Sequence, residues 1–394
     1  MSKENHIVLT TINYPLLLKE YYNNFEKHQE LDSVKLWVVG DEKTPSTVKR
    51  LCRELTDSGL ESVYLDITVQ EKWGRQFPDF YRRIPYNNET RRNIGYLNAL
   101  EDGCMRIISI DDDNWPTPDN FIKGHSLTGK EWDKQLLSDP SGFYNVCEHL
   151  EFEPSRHVFP RGYPFALRNK LSNPRSRSLQ QPVDIGVTMG LWLGEPDIDA
   201  TTWLNGKVTG ISYSGQDLFV LDQNTWSPIN TQNTSVVREL VPAFFCVPMG
   251  WDVPGGKIQR YGDIWGGYFL QALIQGTEFN VAFGKPLVDH RRNPHNYLVD
   301  LRQEFWGMIL TDWLLDILRE DFYPKEDNIC DRVAELSEFL VGTAIAKLPS
   351  WCAPEMKSFI AYTGETLLIW AEVCKDILSY SQRTKRSGPS VPSI

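Results

Sequence analysis

Three consecutive carboxylates, Asp111 to Asp113, directly follow a short apolar segment, RIISI. Like charges this close repel, so we expect a folded chain to gather them for a positively charged partner. In an extended segment Asp111 and Asp113 point one way and Asp112 the other. Asp111 and Asp113 suit Mg²⁺, because this cation binds few protein carboxylates and completes its shell with substrate oxygens such as those of a diphosphate. Asp112 is assigned to substrate binding. The alternative is an acidic turn that caps the next segment.

One histidine is a candidate for the same metal site. His290 lies in VDHRRNPHNY (288–297), which follows the strand-like segment NVAF (280–283). Imidazole binds Mn²⁺ as well as softer metals, so His290 is predicted as a third metal ligand. A lone histidine is more often structural, and this assignment therefore depends on the acidic cluster.

Polar residues at the ends of the first two predicted strands are candidates for binding a nucleotide. Thr10, Thr11 and Asn13 end the first strand and can supply backbone and side-chain contacts to a nucleoside. Asp41 ends the second strand and can accept hydrogen bonds from a base N–H or from ribose hydroxyls. Ordinary turn chemistry is an equal alternative for each of these residues.

Two arginines, Arg91 and Arg92, begin the helix that leads into the acidic strand. A guanidinium at that position can pair with the carboxylates or with a phosphate, so both are predicted to bind substrate. The alternative is a solvated helix face, which we expect for one of the two.

The segment RYGDIWGGYF (260–269) combines Asp263 with aromatic and glycine residues. Such a composition fits the wall of a sugar site. Asp263 could bind sugar hydroxyls there or act as a general base, and Trp265 is predicted to contact the substrate. An ordinary helix N-cap is an equal alternative for the aspartate.

Alternating strands and helices must position these residues. The pattern predicts strands at 6–12, 34–41, 62–67 and 105–110, with helices at 16–29, 46–59 and 88–103. This alternation of strands and helices predicts an α/β fold with a mainly parallel, Rossmann-like sheet flanked by helices. Because ligands bind beyond the carboxyl ends of the strands in such sheets, we expect the candidate residues to meet there.

The chain changes character near residue 300. Residues 1–300 are predicted to form the catalytic domain, with a loop-rich acceptor half from about 115 onward. A C-terminal helical extension is predicted at 301–380, with helices at 301–321, 330–348 and 355–380. The tail at 381–394 has little to bury and is predicted to be disordered.

The first of these C-terminal helices contains apolar residues four apart. They are Phe305, Ile309, Trp313 and Ile317. This spacing predicts that they form the buried stripe of the helix.

Composition excludes several classes of partner. The chain has 394 residues and a net charge of −11, so it is a poor general binder of nucleic acid or anionic membranes. No apolar run reaches the roughly 18 residues of a membrane span, and the polar N-terminus lacks a signal region, so we expect a cytoplasmic protein. Seven cysteines without CxxC spacing predict reduced, buried thiols rather than a zinc ribbon.

Several blocks of the sequence resemble the reversibly glycosylated polypeptide family, whose plant members include the UDP-arabinopyranose mutases. The blocks are IDDDN (110–114), RGYPFALR (161–168), GLWLGEPDIDATT (190–202), RYGDIWGGYF (260–269) and HRRNPHNYLVDLRQEF (290–305). The resemblance continues into the C-terminal helices, with ELSEF and LLIWAEV. It implies a GT-A glycosyltransferase fold, a UDP-sugar substrate, and Mn²⁺ or Mg²⁺ as the cation.

The resemblance also implies roles for individual residues. It places the family's acidic motif on Asp111 to Asp113, with Asp263 and His290 at family-like positions. The arginine reported as reversibly glycosylated corresponds to Arg161, and a second catalytic arginine to Arg168. A guanidinium stays protonated to a pKa above 12 and is a poor nucleophile, so a clamp on the diphosphate of departing UDP is the simpler role for Arg161.

Three functions follow as alternatives. The first is a mutase that interconverts the pyranose and furanose forms of a UDP-pentose, and the resemblance favours it. The second is a glycosyltransferase that passes the sugar to a glycan, lipid, protein or small molecule. The poor match of residues 205–258 to the family favours this alternative, since that segment should form the sugar or acceptor side.

The third is a nucleotide-sugar-binding partner that works in a hetero-complex. The intact acidic cluster weighs against this function. The sequence leaves open whether the protein forms a homo-oligomer or a hetero-oligomer. No feature of the sequence identifies the sugar.

Overall fold

The computed structural model describes residues 3–170 and 172–386. The strands are Asn5–Thr10 (β1), Val34–Val39 (β2), Glu61–Leu65 (β3), Arg106–Asp111 (β4), Asn114–Pro116 (β5), Glu131–Trp132 (β6), Leu136–Ser138 (β7), Leu150–Glu153 (β8), Arg175–Arg177 (β9), Val183–Gly194 (β10), Thr209–Tyr213 (β11), Leu218–Leu221 (β12), Asn233–Val237 (β13), Trp251–Val253 (β14), Gly256–Ile258 (β15) and Phe279–His290 (β16). The helices are Leu17–Lys27 (α1), Val48–Asp57 (α2), Ile67–Gly74 (α3), Pro78–Arg83 (α4), Arg92–Glu101 (α5), Phe121–Gly124 (α6), Ala200–Leu204 (α7), Gly262–Leu273 (α8), Tyr297–Glu320 (α9), Ile329–Phe339 (α10) and Pro354–Arg386 (α11).

Strands β1 to β4, within residues 5–111, form a parallel sheet in the order β3-β2-β1-β4. Its central strand is apolar on both faces, and Ile7, Val8 and Leu9 are buried under helices. Helix α5 lies very close to this sheet because residue 95 is glycine: a Cβ there would lie 2.6 Å from Val8 and 2.7 Å from Val39. The four predicted strands are confirmed, whereas helices α3 and α4 were not predicted.

The middle of the chain extends the same sheet. Strand β13 runs antiparallel to both β4 and β10, and β16 runs parallel to β10. The carboxyl ends of β1, β4, β10 and β16 therefore lie on one edge. Fourteen of the described strands form one mixed, mostly parallel sheet flanked by helices, which confirms the predicted fold class, and β14 and β15 form a separate two-stranded sheet.

Two strands of this middle region are longer than the short pieces that the sequence predicts. Strands β10 and β16 have 12 residues each. Their central residues are buried on both faces, so the alternating pattern that marks a half-exposed strand is missing.

The C-terminal helices α9 to α11 pack against the sheet domain. Trp370 of α11 is fully buried between Phe80 and Phe245. Helix α9 begins at Tyr297, so the predicted domain boundary at residue 300 falls inside it. No helix in the described ranges is long and apolar enough to cross a membrane.

Two predictions for the C-terminal region are wrong in part. In α9, Phe305 is 45% exposed, Ile309 and Trp313 are only partly buried, and of the predicted stripe Ile317 alone is buried. The buried face instead contains Met308, Thr311, Leu314, Leu315 and Leu318. Helix α11 continues to Arg386, so residues 381–386 of the predicted disordered tail are helical. Residues 387–394 lie outside the described residues.

Candidate active site

A cleft of about 420 Å³ opens at the carboxyl edge of the sheet. Most of the predicted site residues line it: Thr10, Thr11, Asn13, Asp41, Arg92, Asp111, Asp112, Asp113, Arg161, Asp263 and His290. Thr10, Asp111 and His290 end strands of the sheet, and Thr11, Asn13, Asp41, Asp112 and Asp113 follow strand ends, whereas Arg92 and Asp263 lie in the first turns of α5 and α8 and Arg161 in a loop. The carboxyl edge is the one at which open α/β sheets bind ligands.

Asp112 connects the ends of two strands. One of its oxygens accepts hydrogen bonds from Oγ1 of Thr11 at 2.5 Å and from Nδ2 of Asn13 at 3.2 Å. Burial raises the pKa of Asp112, and these hydrogen bonds act against the increase. The side chains of Thr11 and Asn13 thus hold the acidic cluster in position, a role different from the direct nucleoside contact that was predicted.

Asp111 points to the opposite face and pairs with an arginine. Nη2 of Arg92 donates to Oδ1 of Asp111 at 2.6 Å, and Nη1 also donates to the hydroxyl and carbonyl oxygens of Thr231. Burial and the charge of Asp113 raise the pKa of Asp111 to about 6 despite the guanidinium. Arg92 was expected to pair either with a carboxylate of the cluster or with a phosphate, and the structure shows the pair with a carboxylate.

Asp113 lies beside the predicted metal-binding histidine. Strands β5 and β16 pair so that His290 is opposite Asn114, which places Nε2 of His290 3.3 Å from Oδ2 of Asp113. Burial alone would lower the pKa of His290, but its hydrogen bond to Asp113 and the charges of Asp113 and Asp197 outweigh burial and raise it. The other ring nitrogen, Nδ1, is buried without a partner among the described residues.

These donors fit a divalent cation only if other ligands complete the shell. Within the described ranges, no group of three or more His, Cys, Asp or Glu side chains could hold an ion by itself. Mg²⁺ characteristically binds through one or two carboxylates together with water and substrate phosphates. Asp111 and Asp113 provide such a partial set of hard oxygen donors, and the adjacent His290 adds an imidazole nitrogen, a softer donor.

Asp41 and Thr10 line the cleft at the carboxyl ends of β2 and β1. Oδ1 of Asp41 accepts from the backbone N–H of Glu42 at 2.8 Å, and Oδ2 from that of Asn88 at 3.2 Å. The carboxylate therefore fastens the loop before α5 to the end of β2, and each oxygen retains a lone pair for a ligand. Oγ1 of Thr10 is buried without a partner in the described chain.

Arg161 sits between two carboxylates on the other wall. Its Nε and Nη2 donate to the two oxygens of Asp197 at 2.8 and 3.1 Å. Nη1 and Nη2 donate to Asp263 at 3.2 and 2.9 Å, and Nη1 also to the carbonyl of Arg260. Residue 260 has φ of +63°, which lies in the left-handed region. Asp197 is a site residue that the sequence analysis missed.

This arrangement uses all five N–H groups of the guanidinium, so none remains for a phosphate. Burial alone would lower the pKa of Arg161, but the charges of Asp197 and Asp263 raise it well above its ordinary value. The guanidinium is therefore a protonated fork that orients two carboxylates. The prediction that Arg161 clamps the diphosphate is not supported by these contacts.

Asp197 is held as a carboxylate by the same contacts. Burial alone would raise its pKa, but the charge and hydrogen bonds of Arg161 and a 2.9 Å hydrogen bond from Asn230 lower it to about 2. At neutral pH Asp197 is an ionised acceptor and a weak base.

The sequence matches the family model of the reversibly glycosylated polypeptides over residues 2–345. The chain belongs to the reversibly glycosylated polypeptide family. All the residues that line the cleft fall within this match, whereas α11 and its LLIWAEV block lie beyond it.

Several known proteins are similar to this chain at low sequence identity. It is 25% identical to the probable UDP-arabinopyranose mutase 1 of Zea mays over 75% of this chain and 73% of that protein. It is 27% identical to UDP-arabinopyranose mutase 1 of Oryza sativa subsp. japonica with the same coverage. The S. aureus TarS 1–349 structure in complex with UDP-GlcNAc is 11% identical, with a TM-score of 0.41 over 97% of this chain and 92% of that one, too weak a likeness to support a conclusion.

Three predicted site residues of this family member lie outside the cleft. Arg91 is fully buried, and its guanidinium donates to Gln70 at 2.8 Å and to Tyr81 at 2.9 Å. It is neither a substrate ligand nor the solvated residue that the alternative predicted. Because consecutive helical residues point in different directions, only Arg92 of the pair reaches the cleft.

The other two are Trp265 and Arg168. Trp265 is fully buried in α8, where Nε1 donates to Thr311 at 2.9 Å, so it is a core residue. Arg168 pairs with Asp199 at 2.6 Å, and Asp199 caps α7. Arg168 thus holds the residue that caps α7 and is not among the residues that line the cleft.

Other cleft residues were not singled out from the sequence. They include Asp197, Thr231, Gln232, Arg260, Arg292, His295 and Gln303. Two signals could have found some of them: Asp197 follows the end of β10 in one quoted family block, and Arg292 and His295 follow the end of β16 in another.

Proposed function

We propose that this chain is a UDP-arabinopyranose mutase-like enzyme, which interconverts the pyranose and furanose forms of a UDP-pentose. The observation that carries the proposal is one cleft with the acidic cluster at Asp111 to Asp113 on one wall. The fork of Arg161 between Asp197 and Asp263 forms the other wall. Family membership and the mutase names of the relatives support the same function. The predictions of a cytoplasmic location and of an oligomer stay predictions.

The nucleotide sugar is proposed to lie across the carboxyl edge of the sheet. Thr10 and Asp41 would face the nucleoside, and the diphosphate would lie by Asp111 and Asp113. Asp111, Asp113 and His290 would hold Mn²⁺ or Mg²⁺. When bound, the cation would neutralise charge on the diphosphate as UDP departs from the sugar.

The sugar is proposed to lie against the Arg161 wall. In the proposed step the bond between C1 and UDP breaks, and O4 then bonds to C1 and loses its proton. The bond from C1 to O5 breaks as O5 gains a proton, and UDP re-forms its bond to C1, so the nucleotide sugar is regenerated in its furanose form. A single carboxylate can carry that proton. With its pKa lowered to about 2, Asp197 is suited to accepting hydroxyl hydrogen bonds, and Asp263 is proposed as the base. Arg161 is a positioning residue that orients both.

The test is product analysis with matched variants. Wild-type protein given UDP-arabinopyranose and Mn²⁺ without an acceptor is expected to form UDP-arabinofuranose. Asp263→Asn is expected to lose at least a hundredfold in rate, within the range for removing a general base. The control Asp316→Asn lies on the exposed face of α9 and should retain wild-type rate. Sugar transfer to an added acceptor without any isomer would support the glycosyltransferase alternative.

A further inference from the structure

Among the described residues, the cleft is lined by four arginines and no lysine. Three of them are hydrogen-bonded to carboxylates. Arg92 binds Asp111, and Arg161 binds two carboxylates as described above. Nε of Arg260 donates to Glu304 at 3.1 Å, and Glu304 is buried. These three guanidinium groups are therefore already committed to partners within the protein.

The fourth, Arg292, is different. Its side chain is only 8% exposed, yet its guanidinium makes no hydrogen bond within the described chain, and Nη1 is buried without a partner. Nη2 lies 3.9 Å from Oδ2 of Asp300, beyond hydrogen-bond distance. That carboxylate is shared, because His295 approaches it at 3.0 Å and Arg260 at 3.6 Å. The carboxylate of Asp300 and the ring of Trp203 face the charge of Arg292, but Nη1 has no acceptor, and a buried donor without an acceptor costs free energy that a bound anion would recover.

The position of Arg292 indicates which ligand. It lies two residues beyond His290 at the end of β16, and its guanidinium rests over the ring of Trp203 at 5.2 Å from the centroid. The preceding residue, Arg291, donates its backbone N–H to the carbonyl of Asp113 at 2.9 Å. Arg292 is therefore anchored beside the acidic cluster, where a cation-bound anion would lie.

We propose that Arg292 binds the diphosphate of the nucleotide sugar, in the role that the sequence analysis gave to Arg161. The planar fork of a guanidinium matches two phosphate oxygens, and the charge remains useful when UDP departs. This inference rests on the proposed function, since it concerns the same cleft and the same substrate. A sugar carboxylate is the other anion that the fork could take, and the experiment separates the two.

The experiment compares UDP and uridine binding to wild type and Arg292→Ala, with Mn²⁺ in every titration. UDP affinity is expected to fall at least tenfold in Arg292→Ala, whereas uridine affinity should change by less than twofold. Arg292→Lys, which keeps the charge without the fork, should fall between the two. The control is Arg291→Ala, because that side chain is 58% exposed, pairs with Asp289 and does not line the cleft. Its UDP affinity should equal that of wild type.

Folding is checked by thermal melting without nucleotide. Because the guanidinium of Arg292 makes no hydrogen bond and its burial costs free energy, its loss should leave the melting temperature unchanged or raise it. If Arg292→Ala does not fold, Arg292→Lys provides the comparison, and a loss of UDP affinity with intact uridine affinity supports the proposal.

Two results would overturn the inference. One is unchanged UDP affinity in Arg292→Ala, or an equal loss for uridine and UDP. The other is a wild-type preference for UDP-glucuronate over UDP-glucose that disappears in Arg292→Ala while UDP affinity stays the same, which would assign the fork to a sugar carboxylate. Failure of the proposed function looks different, because wild-type protein would then form no UDP-arabinofuranose from UDP-arabinopyranose, whatever the UDP affinities of the Arg292 variants.

Discussion

Removing Arg161 is expected to destabilise the fold strongly, in addition to abolishing turnover. Its side chain is 8% exposed, and those of its partners Asp197 and Asp263 are 9% and 13% exposed. Arg161→Ala leaves two carboxylates in a region from which water is largely excluded. Breaking a buried ion pair by deleting one partner costs about 3–5 kcal/mol, and we expect a loss of that size in the free energy of unfolding.

The pKa of Asp197 provides a second measure of the same interaction. It is lowered to about 2 in the folded chain. Against an ordinary value of about 3.9, this corresponds to stability on the order of 2–3 kcal/mol at pH 7. Because the folded-state pKa is depressed, this stability is present above pH 4 and is lost as the pH falls from about 4 to about 2. The difference between wild type and Arg161→Ala should therefore be largest at pH 7 and smaller at acid pH.

The assay is urea unfolding followed by tryptophan fluorescence at pH 7 and pH 3.5. Arg161→Ala combined with Asp197→Asn should be more stable at pH 7 than Arg161→Ala alone, because one orphaned charge is gone. Arg82→Ala is the control, since that arginine and its partner Asp79 are 74% and 69% exposed, and its midpoint should stay at the wild-type value. A loss below about 1 kcal/mol for Arg161→Ala at pH 7, or a double variant no more stable than the single one, would refute this reasoning.

Three further predictions concern other residues. Asp113→Asn should abolish Mn²⁺-dependent UDP binding while the fold stays intact, and calorimetry that finds an unchanged, metal-dependent affinity would remove Asp113 from the metal site. Asp41→Ala should lose about 1–3 kcal/mol of UDP affinity, as for a hydrogen bond to a charged group; an unaltered dissociation constant would make Asp41 a purely structural turn residue. Trp265→Ala should lower the free energy of unfolding by about 3–5 kcal/mol through the cavity it leaves, with the UDP affinity of the folded fraction preserved; a selective loss of affinity would return Trp265 to the substrate site.

The sequence predicted well where a rule of chain geometry applied. Apolar strands followed by polar residues predicted the parallel sheet, and the carboxyl-edge rule brought Thr10, Asp41 and Asp111 into one cleft. The strand period also separated the two faces of the acidic cluster, since Asp112 turns toward Thr11 and Asp111 toward Arg92.

The sequence predicted poorly where the environment of a side chain depends on distant segments. Trp265 and Arg91 occur in motifs typical of a binding site, yet their partners are Thr311 and Gln70, far away along the chain. Phe305 has the spacing of a buried stripe, but the sheet domain packs against an adjacent face of α9. Asp197 follows a strand end, which is a usable signal, but its pairing with Arg161, 36 residues away, follows no local pattern.

The central claim is that the cleft isomerises a UDP-pentose without an acceptor. The most direct measurement starts separate reactions from UDP-arabinopyranose and from UDP-arabinofuranose, each with wild-type protein and Mn²⁺, and separates the products over time. Because a catalyst cannot alter the equilibrium, a mutase must bring both reactions to the same ratio of the two forms, with the total UDP-sugar conserved. That convergence is the predicted result. Mixtures that never converge, or a steady release of free UDP from both substrates, would contradict the account.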